Sequence, residues 1–480
     1  MTDKPYNARA KRDTTRMSQS GQNKRPRKDE KARYMQKDRP LTSAQLTRQL
    51  AASAVRNVKA DGLPLETVLS ALPGYNDLEA RDRAFVRLIA ATTFRRMGQI
   101  KAVYKPLIRK APPAFIQATL ETAAAQILFL GTPAHAAVGE TVGMLKMNKA
   151  THGFANLANA VLRKVVEEGP KLAGAEAPRS NIPGWIRGSW ERNYGRAAVR
   201  KSSLQLIKDP PLDLSLKNIS EDNTRLWADK LEAEIILPGT LRLASIGNVS
   251  AIEGYNEGEW WAQDVAASLP VRLISEIAGD LKGKSVLDLC AAPGGKTLQL
   301  AALGAKVTAL DKSEGRLERL KENLERTKLS ANIICSDALA WDTNEKFDIV
   351  LLDAPCTATG TFRRHPDVLY NRTPKTLSQL TRLQDKLLPK ASSFLNPGGI
   401  LVFATCSMQF EEGSPRIEKF IDNTPHFSLI SNILSGELGN VLGLDDKSRK
   451  EGTLRTLPFF LDQAGGMDGF YIAALKNLSD

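Results

Sequence analysis

Five short, almost unbroken apolar runs punctuate the C-terminal half of the chain: KSVLDL (284–289), AKVTAL (305–310), ANIIC (331–335), FDIVLLD (347–353) and GGILVFAT (398–405). Each is bounded by turn residues and too short for a buried helix, which makes it a strand. Stretches of helical periodicity, such as GRLERLKENLERTK and LSQLTRLQDKLLPKASSFL, lie between several of them. A strand that is apolar on both faces must be covered on both, and helices crossing between parallel strands supply that cover. The pattern therefore predicts a doubly wound, largely parallel sheet. Ligands of such sheets sit beyond the C-terminal strand ends, so the residues that follow each run carry the functional information.

A chain of 480 residues exceeds what one core supports, so two or three domains are expected. Residues 41–172 carry apolar residues at helical spacing in segments such as LTSAQLTRQLAASAVRNV and PAFIQATLETAAAQILFL, with no strand signal. They read as a compact all-helical domain. Residues 173–265 mix a Trp-containing helix start (PGWIRGSWERNYG), a short strand (LDLSLKN) and GEWWAQDVAASLP. A small α/β linker module is expected there, and residues 266–480 form the α/β domain.

Charge narrows the function. The net charge is +14, and residues 1–40 contribute 13 Lys/Arg against 5 Asp/Glu. That segment is poor in aliphatics and reads as a disordered basic arm, which either grips phosphates through counterion release or aids solubility. An excess of this size points to a polyanionic partner, most often nucleic acid, the alternative being a merely basic surface. No run of 18 apolar residues and no apolar leader occurs, so no membrane span is expected and the cytoplasm is the natural compartment. The four cysteines, Cys290, Cys335, Cys356 and Cys406, form no C-x-x-C pair. That argues against a metal site and against a disulfide framework.

After the first strand, CAAPGGKT (Cys290–Thr297) opens a helix. Adjacent glycines let backbone amides approach a ligand, and the helix N-terminus favours an anionic group. A phosphate-binding P-loop would need glycine at position 290, where cysteine stands. A nucleoside cofactor with a carboxylate and no phosphate, such as S-adenosylmethionine, fits better. The second strand ends at Asp311, where such sites place an acid on the ribose hydroxyls. Asp337, after the third, is positioned for an adenine amino group. The fourth strand ends in Asp353-Ala354-Pro355-Cys356 and the fifth in Thr405-Cys406-Ser407, which sets two thiols over one cleft. Cys335, inside its apolar run, reads instead as a small buried hydrophobe. Carbon 5 of a pyrimidine becomes nucleophilic once a thiolate adds at carbon 6, and an acid on ring nitrogen 3 stabilises the charge that develops.

These segments, from VLDLCAAPGGKT through DIVLLDAPCTATGTFRRHPD and NPGGILVFATCS to LRTLPFFLDQAGGMDGFYIAAL, resemble the NOL1/NOP2/Sun family of RNA 5-methylcytosine methyltransferases. The resemblance implies a Rossmann-like class I methyltransferase fold using S-adenosyl-L-methionine. It assigns Cys406 as nucleophile, Cys356 to product release and Asp353 to the base. It also gives Cys290, Ala291, Ala292, Pro293, Gly294, Gly295, Lys296, Asp311, Asp337 and Asp353 to the cofactor. The helical segments ARDRAFVRLIAATTFRR, AAVGETVGMLK and FANLANAVLRKV resemble a NusB-type RNA-binding domain, which precedes such a methyltransferase in bacterial enzymes acting on 16S ribosomal RNA. The resemblance thus implies RNA, and 16S ribosomal RNA first, as the partner of a monomeric enzyme. A tRNA or other RNA cytosine-5 methyltransferase, a DNA cytosine methyltransferase, a P-loop ATPase and a non-catalytic RNA-binding assembly factor on the same fold remain the alternatives. Arg363, Arg364 and His365, just past the Cys356 loop, are expected to contact phosphates or to form a solvated turn.

Overall fold

A computed structural model of the chain describes residues 40–175, 177–244, 248–433, 437–442 and 451–479. The basic arm expected over residues 1–40 lies outside them but for its last residue. The N-terminal part is helical: α1 (Ser43–Asp61), α2 (Leu65–Ala71), α3 (Ala80–Arg95), α4 (Met97–Tyr104), α5 (Ala114–Phe129), α6 (Ala134–Met147) and α7 (Ala155–Ala175). Thr42 and Gln45 close a reciprocal cap on α1, and Gly62, in the left-handed region at φ 70°, ends it. Helix α5 is buried nearly all round through Ala123, Ala124, Ala125 and Gln126, as a central helix of a bundle must be.

Helix α8 (Gly184–Leu206), kinked where Gly195 adopts φ 82°, leads out of this bundle. A four-stranded antiparallel sheet follows, in the order β2 (Glu234–Leu237), β3 (Thr240–Leu243), β1 (Leu212–Leu216), β4 (Trp260–Ala262), with α9 (Glu221–Leu231) beside it. A buried bidentate pair links Arg242 to Asp213, with N···O distances of 2.6 and 2.8 Å. The same Asp213 accepts the amide of Val265 at 2.9 Å. It thereby fastens the small sheet to the start of α10 (Val265–Ala278).

The C-terminal sheet has eight strands. Its main path runs β10 (Phe427–Leu429), β12 (Tyr471–Asn477), β9 (Leu395–Thr405), β8 (Phe347–Asp353), β5 (Ser285–Leu289), β6 (Lys306–Asp311), β7 (Asn332–Cys335), with β11 (Thr453–Arg455) paired to β12. The five strands read from sequence are mutually parallel. Strand β12 is antiparallel to β9, and β10 and β11 are antiparallel to β12. Val350, Leu351 and Leu352 are wholly buried, each contributing roughly 1.5–3 kcal/mol. One face of the sheet packs on α10 and α11 (Gly295–Ala302), the other on α13 (Pro374–Ser392) and α14 (Ser414–Asn423). Helix α12 (Glu314–Thr327) joins β6 to β7. The strand order reverses between β5 and β8, so a crevice opens there at the C-terminal ends.

One expectation fails here. Cys335 is exposed, because β7 is the edge strand of the sheet and its end has no neighbour to cover it.

Candidate active site

The loop after β5 is shaped by backbone. Cys290 has φ 63° and Gly294 φ 106°, a conformation that costs glycine little. A Cβ on Gly294 would also meet the tip of the Leu320 side chain at 2.2 Å, so a larger residue would be strained by its backbone and would displace that leucine. Helix α11 starts at Gly295, and its first turn points its amides into the crevice.

Asp311 is buried at the end of β6. One oxygen accepts the Ala292 amide at 3.1 Å and the other the Ser313 amide at 2.9 Å. Its carboxylate therefore holds the loop, and Arg316 covers it at 3.4 Å. Asp337 is exposed past β7 and accepts the Leu339 amide at 2.9 Å. Beneath the loop, Asp288 is wholly buried: Thr297 donates to one oxygen at 2.6 Å, while the other has no partner. Burial pushes this carboxyl up to about 7. The loop and the acids around it together fit an aminoacyl nucleoside. Cys290 belongs to this floor as a neutral thiol, since burial and the charges of Asp353, Asp311 and Asp288 push it up to about 12.

Lys296 ties the loop to the end of β8. Its ammonium does not reach along the loop but turns inward, 2.7 Å from Asp353 Oδ2 and 5.3 Å from the centre of the Phe470 ring. Burial opposes its charge, yet Asp353, then Cys406 and Asp288 as anions, outweigh that cost and raise its affinity for the proton.

Strands β8 and β9 are adjacent and parallel, with Asp353 opposite Ala404. The chain therefore delivers Cys356 and Cys406 to one place, with their sulfurs 3.5 Å apart, both free and half-buried. The hydrogen bond to Cys406, burial and nearby negative charge hold Cys356 well above the ordinary thiol range. Lys296 and Arg364 lie on the Cys406 side of the cleft, close enough to interact with that sulfur. Two chemically identical side chains in contact thus occupy unlike surroundings.

The loops beneath the sulfurs are tightly tied. Gly360 donates to the Cys406 carbonyl at 3.0 Å and accepts from the Gly469 amide at 3.0 Å. Helix α8 braces the same turn: Tyr194 donates to the Met408 carbonyl at 2.8 Å and Trp190 to Gln409 at 2.7 Å. Sequence reading missed a further residue. Glu412 is buried and accepts from Thr357 and Ser407, the immediate successors of the two cysteines.

In the turn past the Cys356 loop, Arg363 faces inward rather than toward solvent. Arg363 is 1% exposed and lies 3.4 Å from Asp264 and 3.6 Å from Asp468, with its carbonyl held by Arg95 of α3. Arg364 is bonded to Asp468, and His365 stays at the surface. The two arginines neutralise buried acids, and it is Arg95 that links the helical bundle to this turn. No helix among the described residues is long and apolar enough to cross a membrane.

Two family models match the chain, 16S rRNA methyltransferase RsmB/F over residues 280–476 and the NusB family over residues 45–167. Proteins named ribosomal RNA small subunit methyltransferase B align over most of its length. That of Pseudomonas putida is 33% identical over 434 residues, spanning 85% of this chain and 94% of its own. That of Pasteurella multocida is 32% identical over 454 residues, spanning 90% and 96%. Among solved structures, PH0851 superposes with a TM-score of 0.67 at 23% identity, covering 92% of this chain and 100% of its own. NSun6 from Pyrococcus horikoshii gives 0.52 at 20% identity, covering 62% and 99%. Both share the fold.

Proposed function

The chain belongs to the ribosomal RNA small subunit methyltransferase B family, with its helical NusB part and its S-adenosylmethionine-dependent methyltransferase part, and we propose that it methylates carbon 5 of a cytosine in 16S ribosomal RNA. The observation that carries this reading is the pair of free sulfurs 3.5 Å apart at the ends of adjacent parallel strands. Cytosine C5 methylation can use both thiols, one adding at carbon 6 and the other assisting release.

The cofactor supplies a methyl group on a sulfonium. Its site would be formed by residues 290–296, Asp311 and Asp337, with Asp288 below. The Cys406 sulfur, flanked by Lys296 and Arg364, bonds to carbon 6 of the base and raises electron density at carbon 5. Asp353 faces ring nitrogen 3, and a proton passed from its partner Lys296 through the carboxyl to that nitrogen offsets the negative charge that appears there. Cys356 then assists loss of the carbon 5 proton and expulsion of Cys406. The target base must be unstacked to enter the crevice, and the helical bundle and basic arm grip the surrounding RNA. The enzyme acts as a cytoplasmic monomer, in three bodies: helical (41–172), linker (173–265) and methyltransferase (266–480).

Incubation with tritiated S-adenosylmethionine and unmodified 16S ribosomal RNA, followed by digestion to nucleosides, tests the assignment. Label in 5-methylcytidine is expected. Label in another nucleoside, in tRNA alone or in DNA would overturn it, and no transfer to any nucleic acid would favour a non-catalytic assembly factor.

A further inference from the structure

We infer that Glu412 is a positioning residue whose carboxylate, shared between the two cysteine loops, fixes the sulfurs relative to each other and decides which one attacks. The inference deepens the proposed cytosine-5 chemistry and rests on it for the meaning of "attack".

Glu412 follows β9 in the short turn that leads to α14, with no exposed surface. Thr357 donates its amide to the two carboxylate oxygens at 2.9 and 3.1 Å. The hydroxyls of Thr357 and Ser407 both donate to Oε2, the latter at 2.5 Å, and Gln384 of α13 donates to Oε1 at 3.2 Å. Every contact comes from a donor, as an ionised carboxylate requires, and these bonds work against the burial that pushes the Glu412 carboxyl up. Thr357 and Ser407 each follow a cysteine directly, so one peptide bond separates each thiol-bearing residue from a group held by Glu412. Gln384 also donates to the Pro355 carbonyl at 2.9 Å, which brackets Cys356 from both sides. Thr359 completes the floor, 3.2 Å from both the Thr357 and Ser407 hydroxyls.

The charge matters as much as the geometry. Burying a carboxylate beneath two thiols is costly before hydrogen bonding, and a neutral side chain would serve if only shape were needed. Its negative charge bears on Cys356 and disfavours a thiolate there. On the Cys406 side the neighbouring charges are the cations Lys296 and Arg364. Adjacent sulfurs are thereby made unequal by one acid on one side and two bases on the other.

The test compares the full-length protein with Glu412→Gln and Glu412→Ala. In the RNA-free state at pH 8, limited iodoacetamide labelling with peptide mass spectrometry reads each thiol separately. The Cys356-to-Cys406 labelling ratio is expected to rise roughly tenfold in Glu412→Gln, the effect of one pH unit on thiol ionisation. With RNA, the same variant should lose kcat while KM for the cofactor holds. Glu412→Ala should lose both the selectivity and the activity; if it does not fold, the glutamine variant alone decides. A ratio and kcat unchanged in a folded Glu412→Gln would overturn the inference. Failure of the cytosine-5 reading appears elsewhere: the wild-type protein would form no covalent complex with 5-fluorocytosine RNA, whatever the labelling ratio does.

Discussion

Replacing Gly360 by alanine drives a methyl group into the backbone that shapes the thiol cleft. An ideal Cβ there lies 1.8 Å from the Gly469 carbonyl oxygen, 2.6 Å from its carbon and 3.0 Å from the Cys406 oxygen. All three are backbone atoms, so no side chain can swing aside and the segments must part by roughly 1 Å. That movement breaks the hydrogen bonds from Gly360 to Cys406 and from Gly469 to Gly360. Overpacking costs about 1–3 kcal/mol and each lost hydrogen bond about 1 kcal/mol, for a total near 3–5 kcal/mol. A displacement of ~1 Å at a reacting group also costs ~100-fold in rate. Urea denaturation and single-turnover methylation at saturating cofactor measure the two effects. Gly139→Ala in α6 is the control: nothing lies within 4 Å of its Cβ, and it should stabilise by about 0.5–1 kcal/mol. Gly360→Ala with stability within ~1 kcal/mol and a rate within ~3-fold of wild type would refute the reasoning.

Two further outcomes follow from buried charge. The Asp288 carboxyl keeps its proton to about pH 7 in the folded protein, against 3.8 when unfolded. Its contribution to stability is therefore complete below the unfolded value and is lost as pH rises from there through 7, by about 4 kcal/mol in all. Asp288→Asn should flatten that decline in the cofactor-free protein, as read from urea midpoints between pH 4.5 and 7.5 (roughly the interval between the two states); an unchanged slope would count against a protonated Asp288. Arg363→Met leaves Asp264 and Asp468 with Arg364 as their one remaining partner among these arginines and should cost about 3 kcal/mol, the low end for breaking a buried pair. If it weakened RNA binding with a shallower salt dependence and left stability intact, the original expectation of a phosphate contact would be restored.

The parallel strands were legible because each is buried on both faces, which leaves an apolar run that no other element explains. The thiol pair was legible for the same reason, since adjacent parallel strands bring their C-terminal residues together. Strand β12 was not marked as a strand, because YIAALKN mixes alanine and leucine with β-branched and aromatic residues and has no clear period. Cys335 was misread because being in an apolar run does not reveal being on an edge. Glu412 left no signal: its partners Ser407, Gln384 and Thr357 lie 5, 28 and 55 residues away. In FEEGSP it looks like a solvated acid before a helix. Arg363 and its acid Asp264 are 99 residues apart, and a basic pair next to a histidine reads as an RNA contact until the fold closes over it. Local pattern fixes elements, whereas the ownership of a buried charge is settled only by topology.

The identity of the attacking sulfur is the claim on which the rest stands. RNA carrying 5-fluorocytosine at the target position cannot release the carbon 5 substituent, so the covalent complex persists and can be digested and sequenced by mass spectrometry. The nucleotide should be found on Cys406, should form in Cys356→Ala even with ordinary RNA, and should be absent from Cys406→Ala. A nucleotide found on Cys356, or full methylation by Cys406→Ala, would contradict the mechanism.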